Sequence, residues 1–399
     1  MICSRRGQSI GKDELMNILV VVPWYKPIIG GVVLAVERKY KALVKKGNSV
    51  ILLTAGNYNR ITYTGKDDDI PIYAFYRRFF CSKKHPVKAA VGCMIWLIPT
   101  VVLLNRFIKE KRIDVVILEY PEASNFYFTI LKWFNRIKYT VSFNGSDINL
   151  LSGENWVVRR SIMCQTRNAN GVIAVSQMLM RTVAAVVKRL PDHHEVIYSG
   201  IDPQWALSGS DVTYDLPEKY ILTLAWADPI KGPDILIRAF AKLTNEYPDV
   251  YLVMIGSGPI EDELRELIKS LGIKDRVTRL GDVPHDNLPA IYQGTLFGVI
   301  PSRNEGLPVV SLEFQLFKKA IIASNVGGLP ESIVDDFNGC LVPPGDVDAL
   351  AEKIKYMIDN PEVCRRLGDN GFGYVRSHFD QEMMAEHYHQ FLGGIVDEA

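Results

Sequence analysis

The chain has 399 residues, 48% hydrophobic and 23% charged, with a formal net charge of +1; this excludes disordered and fibrous proteins and predicts two domains or one large one. The total hides an asymmetry: residues 1–200 carry 29 Lys and Arg against 14 Asp and Glu, a net +15, while residues 201–399 carry 17 against 31, a net −14. Opposite halves point to domains with different partners, and a near-zero total gives no reason to expect nucleic acid.

The first sixteen residues are polar around Arg5 and Arg6, carry no secretory apolar region, and are expected to form a disordered extension. Asn17–Val22 then reads as a strand ending at Pro23, followed by a helix-period stretch from Val32 to Lys46 and a β-rich Ser49–Thr54. Between strand and helix stands Gly30-Gly31. Glycines there let backbone amides approach a phosphate, and a plain strand-to-helix turn is the alternative. From Ala89 to Asn105 there are 17 residues without a charge, preceded by Lys83, Lys84 and Lys88 and followed by Arg106, Lys109, Lys111 and Arg112. A spanning helix needs ~20 apolar residues, and Pro99 interrupts this run. A core helix, a helix lying on a membrane surface and a span all stay open.

Asp114–Leu118, Tyr139–Phe143 and Gly171–Val175 are short apolar runs of the kind buried in parallel sheets. The polar stretch Asp202–Pro217, where the charge changes sign, reads as a linker. The second half alternates strand and helix: Tyr220–Leu224, Asp234–Thr244, Val250–Ile255, Glu261–Leu271, Val277–Leu280, Gly298–Pro301, Leu307–Phe317, Ala320–Ala323 and Val347–Asp359. This rhythm predicts an α/β protein of two doubly wound domains, with one helical stretch, Gln381–Leu392, left over.

Ligands of such sheets bind at the carboxyl ends of the strands, so motifs just after strands are the candidates. Lys231, in Lys231-Gly232-Pro233-Asp234, stands where a mobile point charge reaches a diphosphate; a solvated loop lysine is the alternative. Gly256-Ser257-Gly258 begins like a dinucleotide fingerprint, but Glu261 occupies the third glycine's place, and a structural turn fits as well. The sharpest constellation is Pro301-Ser302-Arg303-Asn304-Glu305-Gly306-Leu307-Pro308 followed by Glu313. The amides of Gly306 and Leu307 suit an anionic leaving group. A carboxylate beside them is unfavourable to phosphate unless it meets a polar partner of its own, such as sugar hydroxyls. The paired histidines His193-His194 and His387-x-His389 lack metal-ligand spacing, and no G-x-S-x-G, P-loop or H-E-x-x-H is present. Cys3, Cys81, Cys93, Cys164, Cys340 and Cys364 are scattered without a C-x-x-C pair, as in a cytosolic protein with reduced thiols.

Taken together, KGPDILIRAFAKL, VMIGSGPIEDEL, PSRNEGLPVVSLEF with its E-x7-E, and GGLPESIVDDFNGCLVPPGDVDAL, with the looser PWYKPIIGG, FNGSDI, VIAVSQ and VIYSGID, resemble the family 4 retaining glycosyltransferases of GT-B architecture. The resemblance spans roughly residues 17–392. It implies two Rossmann-like domains facing a cleft: residues 1–203 for the acceptor, residues 204–375 for a nucleotide-diphosphate sugar, and residues 376–399 as a helix crossing back to the first domain. On that reading Glu305 and Asn144 are catalytic. Gly30, Gly31, Lys231, Gly256, Arg303, Gly306, Leu307, Pro308 and Glu313 bind the donor, with Glu305 on the sugar hydroxyls and Glu313 on the ribose. Asp147 is assigned to the acceptor.

The implied reaction retains anomeric configuration without an obligatory metal or other cofactor. The basic first half and the apolar run Ala89–Asn105 between basic flanks add the expectation of a glycan or lipid-linked acceptor of cell-surface polysaccharide or lipopolysaccharide type, handled in the cytoplasm, peripherally at the inner face of an anionic membrane; a basic face unrelated to membranes is the alternative. Two positions depart from the family pattern. Trp226 stands five residues before Lys231, where the family has an arginine, and Asn144 stands where it often has a histidine. A nucleotide-sugar-binding protein without turnover and a GT-B nucleotide-sugar epimerase are the alternatives.

Overall fold

The structure is a computed structural model that describes residues 15–26, 31–57, 59–79, 86–135, 137–149, 151–207, 212 and 214–398. The contacts divide the chain into two units. Among the described residues, the first takes 15–26, 32–198 and 382–398; the second takes Gly31 and 199–381.

In the first unit the strands are β1 (Asn17–Val22), β2 (Ser49–Ala55), β3 (Thr62–Asp67), β4 (Ile70–Phe75), β5 (Val115–Glu119), β6 (Tyr139–Phe143), β7 (Gly171–Ala174) and β8 (His193–Val196). They form one sheet in the order β3-β4-β2-β1-β5-β6-β7-β8. All neighbours are parallel except β3, which runs antiparallel to β4 at the edge. The helices are α1 (Gly31–Lys45), α2 (Pro86–Glu110), α3 (Phe126–Asn135), α4 (Ser146–Asn149), α5 (Trp156–Asn168) and α6 (Gln177–Val187). The central strands β5, β6 and β7 are buried along their whole length and β1 from Ile18 onward, which is why they read as largely apolar runs.

The second unit holds β9 (Tyr220–Leu224), β10 (Tyr251–Ile255), β11 (Val277–Gly281), β12 (Gly298–Ile300), β13 (Ile321–Ser324) and β14 (Cys340–Val342), in the order β11-β10-β9-β12-β13-β14 and parallel throughout. Its helices are α7 (Pro233–Ala241), α8 (Glu261–Ser270), α9 (Leu288–Gly294), α10 (Val309–Leu316), α11 (Leu329–Ser332), α12 (Val347–Asp359) and α13 (Pro361–His378). One face of the sheet is covered around Leu236, Phe240, Leu264, Ile354 and Leu367, the other around Tyr292, Phe314 and Leu329. The order reverses between β9 and β12, and a doubly wound sheet opens a ligand site at the carboxyl ends of the strands at such a reversal.

The last helix, α14 (Gln381–Asp397), belongs with the first unit from Glu382 onward. Its Tyr388, Phe391, Leu392 and Ile395 are buried in the same cluster as Ile18, Val20, Tyr40 and Ile117. Lys46 bonds Glu386 at 2.6 Å, and Lys138 bonds the Val396 carbonyl at 2.7 Å.

Several expectations are corrected. Residues 1–14 lie outside the described residues, but Met16 is buried: its N–H donates to Asn48 and its carbonyl accepts from Ser49, so the fold begins before residue 17. Asp202–Pro217 is no free linker. Trp205, Tyr214 and Leu216 pack on the second unit's core, because aromatic groups within the polar stretch find apolar cover there. The boundary accordingly falls at Tyr198/Ser199 rather than after 203, and at Gln381/Glu382 rather than after 375, since α13 runs to His378. Gly306 and Leu307 precede the helix they were expected to open, because Pro308 forms its N-cap. The run Ala89–Asn105 lies inside the 25-residue α2, which buries Cys93, Leu104, Phe107 and Ile108 and exposes the opposite face.

Candidate active site

In the second unit, the loops after β9, β10, β12 and β13 meet at one edge of the sheet. The loop after β9 carries Lys231 and the loop after β12 carries Glu305, so the two flank the strand-order reversal. The Lys231 ammonium lies 2.8 Å from both carboxylate oxygens of Glu305, and the Ser302 hydroxyl donates to Oε1 at 2.7 Å. The Arg303 N–H joins the two loops by donating to the Ile230 carbonyl at 2.7 Å.

The loop after β13 closes the arrangement through Gly327. Its φ of +55° is a left-handed conformation, and a Cβ there would stand 1.9 Å from the Glu305 carbonyl oxygen. Only glycine satisfies both conditions. Gly306 and Leu307 are buried beside Glu305, and among the described residues their N–H groups donate to no protein acceptor. A cation and free amides therefore lie next to a carboxylate that has its own donors, which is the arrangement needed to receive an anion and a hydroxylated group side by side. Pro308 starts α10.

Glu313 lies within α10, buried, with the Tyr292 hydroxyl donating to Oε2 at 2.7 Å and the His285 Nε2 3.4 Å from Oε1. The Trp205 indole stacks on that imidazole with ring centroids 4.1 Å apart.

Two expected donor residues have other work. Arg303 makes a bidentate pair with Asp234, both contacts at 2.8 Å, and donates to the Pro229 carbonyl. Its guanidinium fastens loops together and does not replace the arginine missing at Trp226, which is exposed. Gly256, at φ +113°, has its missing Cβ position 2.1 Å from the Ala225 carbonyl oxygen. There the glycine lets the loop after β10 lie against the loop after β9, where Ala225 and Ala227 donate to Ile255 and Ser257.

Gly30 lies outside the described residues, and Gly31 opens α1. Asn144 follows β6 and donates from Nδ2 to Glu119 Oε1 at 2.7 Å. Glu119, fully buried at the end of β5, also accepts from Lys39 at 2.7 Å, from Ser142 at 3.1 Å and from the Tyr40 hydroxyl. Tyr388 of α14 completes this cluster: its ring lies 4.9 Å from the Lys39 ammonium. Buried desolvation works against Lys39, yet the adjacent Glu119 carboxylate holds it well above the ordinary lysine range. Asp147 turns inward, accepting from the N–H groups of Asn144, Gly145 and Ile148 at 2.9, 2.8 and 3.1 Å. Burial pushes its carboxyl up to about 6 against those three donors. It shapes the loop after β6.

Sequence reading missed Lys39, Glu119 and Tyr388 in the first unit and Trp205, His285 and Tyr292 in the second. One signal was available: Glu119 is a lone carboxylate ending the apolar run Val115–Glu119, at the end of a strand where ligands bind.

Solved structures with this architecture are GT-B glycosyltransferases. Sucrose-phosphate synthase from Thermosynechococcus elongatus superposes with a TM-score of 0.74 at 20% identity, covering 94% of this chain and 97% of that one. Anabaena HepE in complex with UDP superposes at 0.72 and 19% identity, covering 94% and 98%. The two parallel α/β units are thus a GT-B fold.

The profile of glycosyl transferases group 1 matches residues 212–373, and that of glycosyltransferase family 4 matches residues 29–205. An uncharacterized glycosyltransferase of Methanocaldococcus jannaschii is 26% identical over 90% of this chain and 92% of its own length. The N-acetyl-alpha-D-glucosaminyl L-malate synthase of Bacillus anthracis is 26% identical over 70% and 74%. The chain belongs to the family 4 glycosyltransferases.

Proposed function

We propose that the protein transfers a sugar, with retention of anomeric configuration, from a nucleoside diphosphate sugar to a glycan or lipid-linked acceptor. The observation that carries this is the Lys231–Glu305 pair at the strand-order reversal, beside the free amides of Gly306 and Leu307. In the reaction the bond from the sugar C1 to the diphosphate oxygen breaks, a bond from C1 to the acceptor oxygen forms, and the acceptor's hydroxyl proton leaves with the diphosphate. Negative charge develops on the departing diphosphate, where Lys231 and the two amides stabilise it, and fixed donors aimed at developing charge are the strongest catalytic element of such sites. Glu305 accepts from donor-sugar hydroxyls once Lys231 turns to the phosphate. Glu313 holds the ribose.

HepE is a UDP complex, which makes uridine diphosphate sugars the first donors to test. The free thiols of Cys93, Cys164, Cys340 and Cys364 accord with a reducing, cytoplasmic setting. A thermal-shift series with nucleoside diphosphates identifies the base, since a ligand that binds only the native state raises the transition with concentration. Transfer then follows with the stabilising donor. Glu305→Ala abolishing transfer is expected; Glu305→Ala at wild-type rate overturns the assignment. A second reading, binding without turnover, is favoured by exposed Trp226 in place of an arginine, and detected transfer excludes it. Product formation without an added acceptor identifies an epimerase instead.

A further inference from the structure

Helix α2 carries an apolar stripe that the transfer reaction does not use. Val91, Met94, Ile95, Ile98 and Val102 recur at helical spacing and are all exposed, from 45% at Val91 to 73% at Ile98. The stripe runs into exposed Arg106 and Lys109, which fall on the same face by the 100° helical step. In the sequence, Lys83, Lys84 and Lys88 precede the stripe. From Pro86 to Lys109 the helix contains no Asp or Glu.

The opposite face is committed to the first unit through Cys93, Thr100, Leu104, Phe107 and Ile108. By length and composition the helix could cross a membrane, but crossing would tear that buried face out of the core. A helix with one face packed and the other apolar between cationic ends has the form of an in-plane interfacial helix. A second copy of the chain is a poor occupant. Parallel two-fold pairing across this stripe sets the two basic ends together, and antiparallel pairing sets Arg106 and Lys109 against a helix start without Asp or Glu, so no carboxylate compensates them. The half of the chain that bears the stripe is also the half with net charge +15.

We infer that the exposed face of α2 docks on an anionic lipid surface, with Met94, Ile95, Ile98 and Val102 entering the boundary between headgroups and acyl chains while Arg106 and Lys109 engage lipid phosphates. The inference does not depend on the donor chemistry proposed above.

The test is co-flotation of the full-length protein with phosphatidylcholine vesicles containing or lacking phosphatidylglycerol, at low and high salt. Binding to anionic vesicles about tenfold or more above neutral ones is expected, weakened by salt. Ile98→Asp with Val102→Asp should abolish binding through the apolar contact. Arg106→Glu with Lys109→Glu should reduce the anionic preference and leave residual binding insensitive to salt. All four side chains are exposed, so unchanged unfolding temperature and nucleotide binding certify the variants. Equal binding to both vesicle types, wild-type binding by the aspartate variant, or a dimer in sedimentation that the aspartate variant dissolves would each overturn the proposal.

Discussion

Replacing Lys231 with methionine removes half of an ion pair whose members sit in unequal surroundings. The lysine side chain is 31% exposed and that of Glu305 is 7%. Breaking a buried pair while leaving the other charge in place costs about 3–5 kcal/mol. The Ser302 hydroxyl, which still donates to Glu305, puts Lys231→Met at the low end, about 3 kcal/mol. Glu305→Gln removes the same pair but leaves a lysine whose head can turn to water, at about 1 kcal/mol. In a unit of about 180 residues, each kcal/mol moves the transition by about 2–4 °C. Calorimetry should therefore show the second unit's transition about 6–12 °C lower in Lys231→Met and about 2–4 °C lower in Glu305→Gln. The double variant should cost about 1–2 kcal/mol less than the sum, because the stranded carboxylate is gone. In transfer assays Lys231→Met should lose about 10²–10³ in kcat/KM, as expected for one donor to a developing anion. Equal costs for the two single variants, or both below about 0.5 kcal/mol, would mean a solvent-screened contact and refute the reasoning.

Asp147 makes stability depend on pH. Its carboxyl is raised in the fold, so the native state binds that proton more tightly, and the favourable contribution present at acid pH is lost as pH rises through about 6. Relative to wild type, Asp147→Asn should therefore gain up to about 3 kcal/mol between pH ~4 and ~7; a pH-independent difference in urea unfolding would contradict this. Gly327→Ala should cost about 2 kcal/mol or more from its positive φ and should reduce transfer beyond that loss, since the methyl group collides with the Glu305 backbone. Full activity in that variant would separate the loop from the site. Trp226→Arg, at an exposed position, should tighten nucleoside diphosphate binding about fivefold through a charge-assisted contact worth about 1 kcal/mol. Unchanged affinity by calorimetric titration would show that the position does not face the diphosphate.

The parallel strands were legible because burial on both faces leaves continuous apolar runs such as Val115–Leu118 and Ile321–Ala323. The edge hairpin of β3 and β4 was not: Thr62–Asp67 alternates polar residues on an open edge, where no burial imposes a pattern. Lys231 and Glu305 stood out because they stand in loops after strands, and Glu313 because its eight-residue spacing from Glu305 is local. The pairing of Arg303 with Asp234 was not legible for a related reason. A motif names a residue but not the direction of its side chain, and here Asp234, distant in sequence, decides that direction. Lys39 was invisible because a lysine in an amphipathic helix reads as solvated. Its partner Glu119 lies 80 residues away and is met only in the folded sheet.

The last helix gives the chain a particular order of birth. The first unit's core is complete only when Tyr388, Phe391, Leu392 and Ile395 arrive, yet the whole of Ser199–Gln381 is synthesised before them. At ~5–20 residues per second, those about 180 residues impose a wait of roughly 10–35 s, during which the emerging first unit lacks a strip of its interior while the second can close on its own. The interval is a window for chaperone capture. A premature stop a few codons short of the end would strike the first-made unit harder than the one made just before the break.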